Sequence, residues 1–279
     1  MKNTLKERVI GMAGCGNMGL PMAKQLQNAG IEVWGFDLRP PHEFGDFHDR
    51  MIEDPNAFSD RVDIVFSVVR DWQQTKDLLF DVQAIFTHPN HPKILAISST
   101  LSPRVLDEIQ SRLPSDVLLI DTPMSGTGFR AIDGTLTFMI GGPEGAIKTL
   151  MPAFKAMGNE IHHLGPLGTG LKCKVVNNFV AAAGIVAVRH ALAASEAMGV
   201  EQSMILEVMR TSSGSTWYGD NFNSIDWSSQ AYDPSNTMGI VKKDVAAYLD
   251  AISGMETKCA SDFEQAVHTH MGQIKQISS

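Results

Sequence analysis

Val9–Ala13 is short, apolar and β-rich, and it runs straight into Gly14-Cys15-Gly16-Asn17-Met18-Gly19, which opens a helix-like stretch, Leu20–Ala29. A strand, a turn with glycines at these spacings and a helix, in that order, constrain the chain more than any other feature. Gly14 permits the tight turn, Gly16 lets backbone N–H groups approach a ligand, and Gly19 lets the helix pack close on the strand. Gly30 stops the helix, Ile31–Phe36 reads as a second strand, and that strand ends at Asp37. An acid about 20 residues beyond the turn completes the pattern expected of a dinucleotide site. The pyrophosphate would lie on the helix N-terminus, with Asn17 and Met18 in the loop beneath it.

Asp37 bears on the choice of cofactor. A carboxylate there accepts hydrogen bonds from the ribose hydroxyls and repels a 2′-phosphate, which favours NAD. Arg39, two residues on, can reach a phosphate or stack on adenine, so NADP stays open.

Further short apolar runs follow at Asp63–Val69, Ile94–Ser98, Val117–Ile120 and Thr135–Ile140, with a helix at Gly145–Ala156. Their alternation with helical stretches predicts an α/β fold, an N-terminal Rossmann-type doubly wound parallel sheet. The pattern changes at the Gly- and Pro-rich loop Leu164–Gly170. From Leu171 to Met198 the chain is helix-compatible and apolar on most faces, which predicts a buried helix between domains or subunits. Met204–Met209, Ile240–Ser253 and Asp262–Met271 also read as helices, around a polar loop from Thr211 to Asn236. The expectation is therefore a dinucleotide-binding domain over 1–164. An all-helical C-terminal domain over 165–279 follows, for substrate and oligomerisation, beginning with the long interdomain helix.

The 279 residues suit two domains, and 43% apolar against 19% charged residues excludes a disordered tail. A net charge of -8 argues against nucleic acid as a partner. No apolar run reaches the roughly 18 residues that span a bilayer, and no signal peptide is evident, so no membrane is expected. Cys15, Cys173 and Cys259 are far apart, which predicts neither a disulfide framework nor a zinc site. His88 with His91, His162-His163 and His268 with His270 show no carboxylate or cysteine at ligand spacing, so no metal is expected. A cytoplasmic, reduced protein is the reading.

Two more segments carry candidate chemistry. Asp121-Thr-Pro-Met-Ser125-Gly126-Thr127-Gly128 follows the run Val117–Ile120, and small residues at a strand's carboxyl end expose N–H groups that can hold a carboxylate. The plain alternative is a glycine turn. Gly168-Thr-Gly170-Leu-Lys172-Cys-Lys174-Val-Val-Asn177-Asn178 opens the long helix. Lys174 and Asn178 are four apart, hence on one face, and polar groups on so apolar a helix need a reason to be there. Trp217, Tyr218 and Phe222 in the polar loop can wall a pocket or simply pack.

Taken in order, these segments resemble the β-hydroxyacid dehydrogenase family. The resemblance covers GCGNMGLPMAKQL with its trailing Asp37, Ser99-Thr100-Leu-Ser-Pro103, DTPMSG, GTGLKCKVVNN, and Lys243-Asp244 near the end. By that resemblance Lys174 matches the catalytic lysine and Asn178 the substrate-binding asparagine. Ser125 and Gly126 match the carboxylate-binding pair, and Thr100 and Lys243 match positions at the nicotinamide end. The chain departs from the family at Thr127 and Arg130, where glycines are usual. Thr127 narrows the carboxylate nest, and Arg130 either adds a charge to it or points to solvent.

The resemblance implies an NAD(P)-dependent oxidoreductase moving a hydride between nicotinamide and a small 3-hydroxy carboxylic acid. Lys174 would be the general acid/base; burial and the positive end of its own helix work against the ammonium, and the substrate carboxylate pulls the other way. Two alternatives remain: an aldehyde-acid reductase of the tartronate or succinic semialdehyde type on the same site, and a non-catalytic NAD-binding regulator. The partner is then a small hydroxy acid or aldehyde acid. The long apolar helix points to a homodimer or homotetramer.

Overall fold

The computed structural model describes residues 5–256 and 262–277; Cys259 lies outside them. The chain forms two compact units, Met1–Lys174 and Val175–Ser279.

The first unit is built on one sheet with strands β1 (Ile10–Ala13), β2 (Val33–Phe36), β3 (Ile64–Ser67), β4 (Ile94–Ile97), β5 (Leu118–Asp121), β6 (Met124–Ser125), β7 (Leu136–Gly141) and β8 (Gly158–Gly165). Its helices are α1 (Gly19–Asn28), α2 (Pro55–Arg61), α3 (Trp72–Lys76), α4 (Val105–Arg112), α5 (Gly128–Ile132) and α6 (Glu144–Met157). The strand order is β2-β1-β3-β4-β5-β7-β6, with β8 on the other side of β7.

Both faces of the sheet are covered, which is why its first five strands read as nearly continuous apolar runs. Ile10, Met12, Ile64, Phe66, Ile94 and Ala96 point to one face, against Met22 and Leu26 of α1 and Phe154 of α6. Ala13, Val65, Leu95 and Ile97 point to the other, against Phe58 of α2 and Leu106 and Ile109 of α4. The period of two along each strand sorts the residues between these layers. Asp54 caps α2 by accepting from the Ala57 N–H at 2.7 Å, and Asp71 caps α3 by accepting from Gln74 at 2.9 Å.

The doubly wound sheet is as expected through β5, and its far side departs from the all-parallel pattern. β7 runs antiparallel to β5 through the single pair Asp121↔Gly141, β6 runs antiparallel to β7, and β8 runs parallel to β7. β8 was not visible in the sequence. As an edge strand it leaves Asn159, Glu160, His162 and His163 exposed, so it lacks an apolar signature.

α7 (Thr169–Ala197) starts in the first unit and continues into the second. The second unit adds α8 (Gln202–Arg210), α9 (Trp217–Asp220), α10 (Thr237–Ile252) and α11 (Asp262–Met271), and is all-helical among the described residues. Its core is Ala182, Ile185, Val188 and Leu192 of α7 with Tyr218, Phe222, Met238, Val245 and Val267.

In the single chain Val176 and Val180 of α7 are 52% and 64% exposed. One expectation is corrected: the chain does hold a stretch of membrane-spanning length. By length and composition alone α7 could cross a bilayer, with a mean hydropathy of 1.5 over its most apolar window. Its buried side nonetheless packs as a core, and it carries a buried arginine, Arg189, bound to carbonyls of the same unit. Of that apolar window 33% is buried.

Candidate functional site

The glycine turn folds as its spacing requires. Gly14 has φ +94, and a side chain there would meet the Val68 backbone at 2.9 Å. A Cβ on Gly19 would lie 1.9 Å from the Gly14 carbonyl oxygen, so only glycine brings α1 this close to β1. A Cβ on Gly16 would meet nothing within 4 Å, which leaves open space over the turn. Met18, at the cap position of α1, makes no side-chain hydrogen bond to the first turn. The Leu20 and Met22 N–H groups already donate to the Gly16 and Met18 carbonyls, at 3.1 and 3.2 Å, and Pro21 has none. An anion would therefore rest on the amides of the turn itself, Gly16–Gly19, where the helix dipole favours one. These features fit the pyrophosphate of a dinucleotide.

At the end of β2, the Asp37 carboxylate accepts from the Cys15 N–H at 2.8 Å and from Arg39 Nε at 3.1 Å. Arg39 also donates to the Cys15 carbonyl at 2.9 Å and lies over the Phe44 ring, 4.7 Å from its centroid. The guanidinium is thus folded onto Asp37 rather than extended toward a phosphate. The Arg39 backbone N–H and Nη2 donate to the carboxylate as well, at 3.1 and 3.3 Å. Its roughly four lone-pair positions are thereby met, so a ribose hydroxyl would take the place of an Arg39 bond. A cavity of about 340 Å³ opens here, lined by Asp37 and Arg39 with Leu38, Glu53, Pro55 and Val82. Its acids outnumber its one base, which suits an uncharged ribose better than a 2′-phosphate. Burial, with the Asp37 charge beside it, pushes the Cys15 thiol up to about 12, so this cysteine is packing within the turn.

Ser125 ends β6, pairing with Thr137 of β7, and Gly126 turns the chain with φ +138. Thr127 occupies the cap position of α5, yet its hydroxyl makes no capping bond. That hydroxyl oxygen is buried with no hydrogen-bond partner among the described residues. Arg130 donates to the Thr135 carbonyl, within the turn that closes α5. A Cβ on Gly128 would lie 3.6 Å from the Asn17 carbonyl oxygen, so the Ser125–Gly128 loop stands beside the glycine turn. The structure thus brings two of the sequence-defined motifs together within the first unit. Thr100 follows β4, whose preceding Ser99 hydroxyl donates to the Val69 carbonyl at 2.6 Å. Lys174, on α7, is 7% exposed.

Asn178 and Lys243 lie in the second unit, where both meet one buried carboxylate. Asn178 Nδ2 donates to Asp244 Oδ2 at 2.6 Å, and Lys243 Nζ pairs with Asp244 Oδ1 at 2.7 Å. Asp244 is 4% exposed and fixes how the Asn178 amide points. The sequence showed the Lys243-Asp244 pair; that Asp244 binds Asn178, 66 residues away, was not legible.

The aromatic loop resolves into packing for two of its residues. Tyr218 and Phe222 are buried at a ring separation of 5.6 Å, while Trp217 is 54% exposed. His91 and His88 each meet a carboxylate from elsewhere in the chain: His91 pairs with Asp116 at 2.9 Å and His88 with Asp60 at 3.4 Å. Each is a separate pair, and among the described residues no three potential metal ligands converge.

Comparison with known proteins agrees with this geometry. Residues 9–165 match the family described as the NAD binding domain of 6-phosphogluconate dehydrogenase. Residues 168–275 match the one described as NAD-binding of NADP-dependent 3-hydroxyisobutyrate dehydrogenase. The chain is 30% identical over 247 residues to L-threonate dehydrogenase of Cupriavidus necator, covering 87% of this chain and 83% of that protein. It is 34% identical over 218 residues to NAD-dependent L-serine dehydrogenase of Pseudomonas aeruginosa, covering 77% and 73%. In fold it is similar to the crystal structure of 3-hydroxyisobutyrate dehydrogenase from Salmonella typhimurium, with a TM-score of 0.81 at 23% identity over 95% and 93% of the two chains. With both parts of the sequence matched and the motifs in place, the chain belongs to the β-hydroxyacid dehydrogenase family.

Proposed function

We propose that this protein is an NAD-dependent oxidoreductase acting on the CH–OH group of a small 3-hydroxy carboxylic acid, with Lys174 as the general acid/base. Bound NAD supplies the hydride acceptor. The N–H groups around Gly14–Gly19 hold the pyrophosphate, and Asp37 takes the ribose hydroxyls. Ser125 and Gly126 bind the substrate carboxylate, and Lys174 takes the proton of the substrate hydroxyl at Nζ. Asn178, its amide oriented by Asp244, hydrogen-bonds the substrate. Thr100 and Lys243 are assigned to the nicotinamide end.

The observation that carries this reading is the burial of Lys174. Lysine is almost never this deeply placed unless paired, and Lys174, 7% exposed, stands one turn before Asn178 on the same helix. The relatives' names, threonate and serine dehydrogenases, favour a substrate with a polar substituent beside the carboxylate. The unpartnered Thr127 hydroxyl suits such a group, and Arg130, whose guanidinium donates to the Thr135 carbonyl, flanks the same loop. Turnover with NAD across a panel of 3-hydroxy acids and the corresponding aldehyde acids tests the reading. Failure of every acid with both NAD and NADP would leave a non-catalytic NAD-binding protein.

Cofactor preference is expected to hinge on Asp37. Asp37→Ser removes the ribose acceptor and frees Arg39, so NAD affinity should fall by about tenfold or more, the scale of one charged hydrogen bond, while NADP gains. Side-by-side kinetics check this; an unmutated chain that prefers NADP would show Arg39 dominant.

The exposed Val176 and Val180 of α7, with Met204 and Val208 of α8, support a homo-oligomer, dimer or tetramer, that covers them. Light scattering at working concentration reads the mass directly, and a monomer would overturn the assignment.

A further inference from the structure

Asp121 ends β5 at the carboxyl edge of the sheet, where acids in open α/β folds usually face a ligand. Here it does not. Its side chain has no exposure, and its two oxygens are turned onto the start of α7. Oδ1 accepts from the Gly168 N–H at 2.7 Å and Oδ2 from the Leu171 N–H at 2.6 Å; burial raises the carboxyl above its ordinary range, and these N–H groups work against that rise. The first N–H groups of a helix have no partner inside it and need one from elsewhere. α7 brings no cap of its own: residue 168 is glycine, and the Thr169 hydroxyl turns back to the Pro166 carbonyl at 2.8 Å. The cap comes from β5 instead, 47 to 50 residues away.

Two glycines make room for it. A Cβ on Gly141 would lie 2.4 Å from Asp121 Oδ1, and one on Gly170 would lie 2.8 Å from Oδ2. The strand end that carries the carboxylate is itself held on both sides, by Ile97 of β4 and Gly141 of β7. Two short hydrogen bonds to two oxygens of one planar group fix both the height and the rotation of the helix start. Lys174 follows Leu171 by about one turn. Asp121 also answers a point raised by the sequence. The positive end of α7, expected to act on the Lys174 proton, is already met by this buried anion.

Resting on the reading of Lys174 as the proton acceptor, we propose that Asp121 is a positioning residue, whose carboxylate locks the first turn of α7 to the sheet and so sets where Lys174 stands. A neutral cap would satisfy one N–H. An anion with two acceptors ties the helix to the strand at two points, and charge-assisted bonds of this kind are the stronger ones.

The test is Asp121→Asn in the full-length chain, with rates normalised to bound NAD. The substitution keeps the volume and turns one acceptor into a donor facing an N–H group. It is expected to lower kcat by about 10- to 100-fold, the scale of a small misplacement of a catalytic group. KM for the hydroxy acid and the affinity for NAD should hold. The primary deuterium isotope effect on kcat should rise as the chemical step becomes limiting. A loss of thermal stability with kcat and isotope effect unchanged would reduce Asp121 to a structural cap and overturn the proposal. Should Asp121→Asn not fold, Asp121→Glu carries the test. It keeps both acceptors on a longer stem, so a lowered kcat with NAD binding retained supports the lock, and an unmutated rate overturns it. Amide exchange in the unmutated chain gives a reading independent of turnover: protected Gly168 and Leu171 amides support the lock, and free exchange refutes it. Absence of turnover in the unmutated chain would instead count against the proposed activity.

Discussion

Lys174→Ala is expected to lower kcat by about 10²–10⁴-fold, the usual scale for loss of a general acid–base group. The side chain is buried on α7, close behind the glycine loop that starts the helix. NAD binding should survive, because the groups assigned to it sit at the ends of β1 and β2, on Gly14–Gly19 and Asp37. Lys174→Arg should fail almost as badly, since arginine keeps its charge but cannot release a proton near neutral pH. In the oxidation direction the rate should rise with pH as the amine is freed, and this limb should vanish in both variants. Full activity in Lys174→Arg would end the general-base role and leave the residue an electrostatic clamp.

The second large effect is expected on stability, at Arg189. This guanidinium is 5% exposed on α7 and donates to the carbonyls of Ser228 at 2.5 Å and Gln230 at 3.1 Å, and to that of Lys275. Among the described residues no carboxylate pairs with it. The hydroxyl of Tyr218 donates to the same Ser228 carbonyl at 2.6 Å, and burial raises the Tyr218 phenol above its ordinary range. One side chain thereby gathers the polar loop and the chain's last stretch onto the long helix. Arg189→Met leaves the Gln230 and Lys275 carbonyls without this donor at roughly 1–3 kcal/mol each, while Tyr218 still serves that of Ser228. The loss is offset in part because a guanidinium no longer has to be desolvated. A net loss of about 3 kcal/mol follows. Urea unfolding followed by the fluorescence of Trp217 and Trp227 would measure it. Arg189→Lys should recover only part, since an ammonium lacks the planar fork that reaches several carbonyls. A loss below about 1 kcal/mol would show that solvent takes over these carbonyls.

Arg189 also shows where reading the sequence stopped short. A lone arginine in so apolar a helix is a signal in itself, yet nothing in the residues near it says what it binds. The same holds for Arg39, whose two possible destinations were open until the structure placed it on Asp37 and the Cys15 carbonyl.

What the amino-acid order determined by itself is the part of the molecule encoded between near neighbours. The turn at Gly14–Gly19 follows from glycine's backbone freedom and from the lack of room for a Cβ at Gly19. The strands β1 to β5 follow from apolar runs buried on two faces, and α7 from a long, alanine-rich stretch that no proline interrupts. Only the tertiary structure decided the rest. The antiparallel side of the sheet rests on one residue pair between β5 and β7 and on an edge strand with no apolar signature. Asp121 reads in sequence as one more acid at a strand end, and becomes the cap of a helix that begins far along the chain. Asp244 becomes the residue that orients Asn178 in the same way. Periodicity and turn chemistry are local and can be read from adjacent residues. A buried carboxylate finds its donors only after folding has brought distant segments together and excluded the water that would otherwise satisfy it.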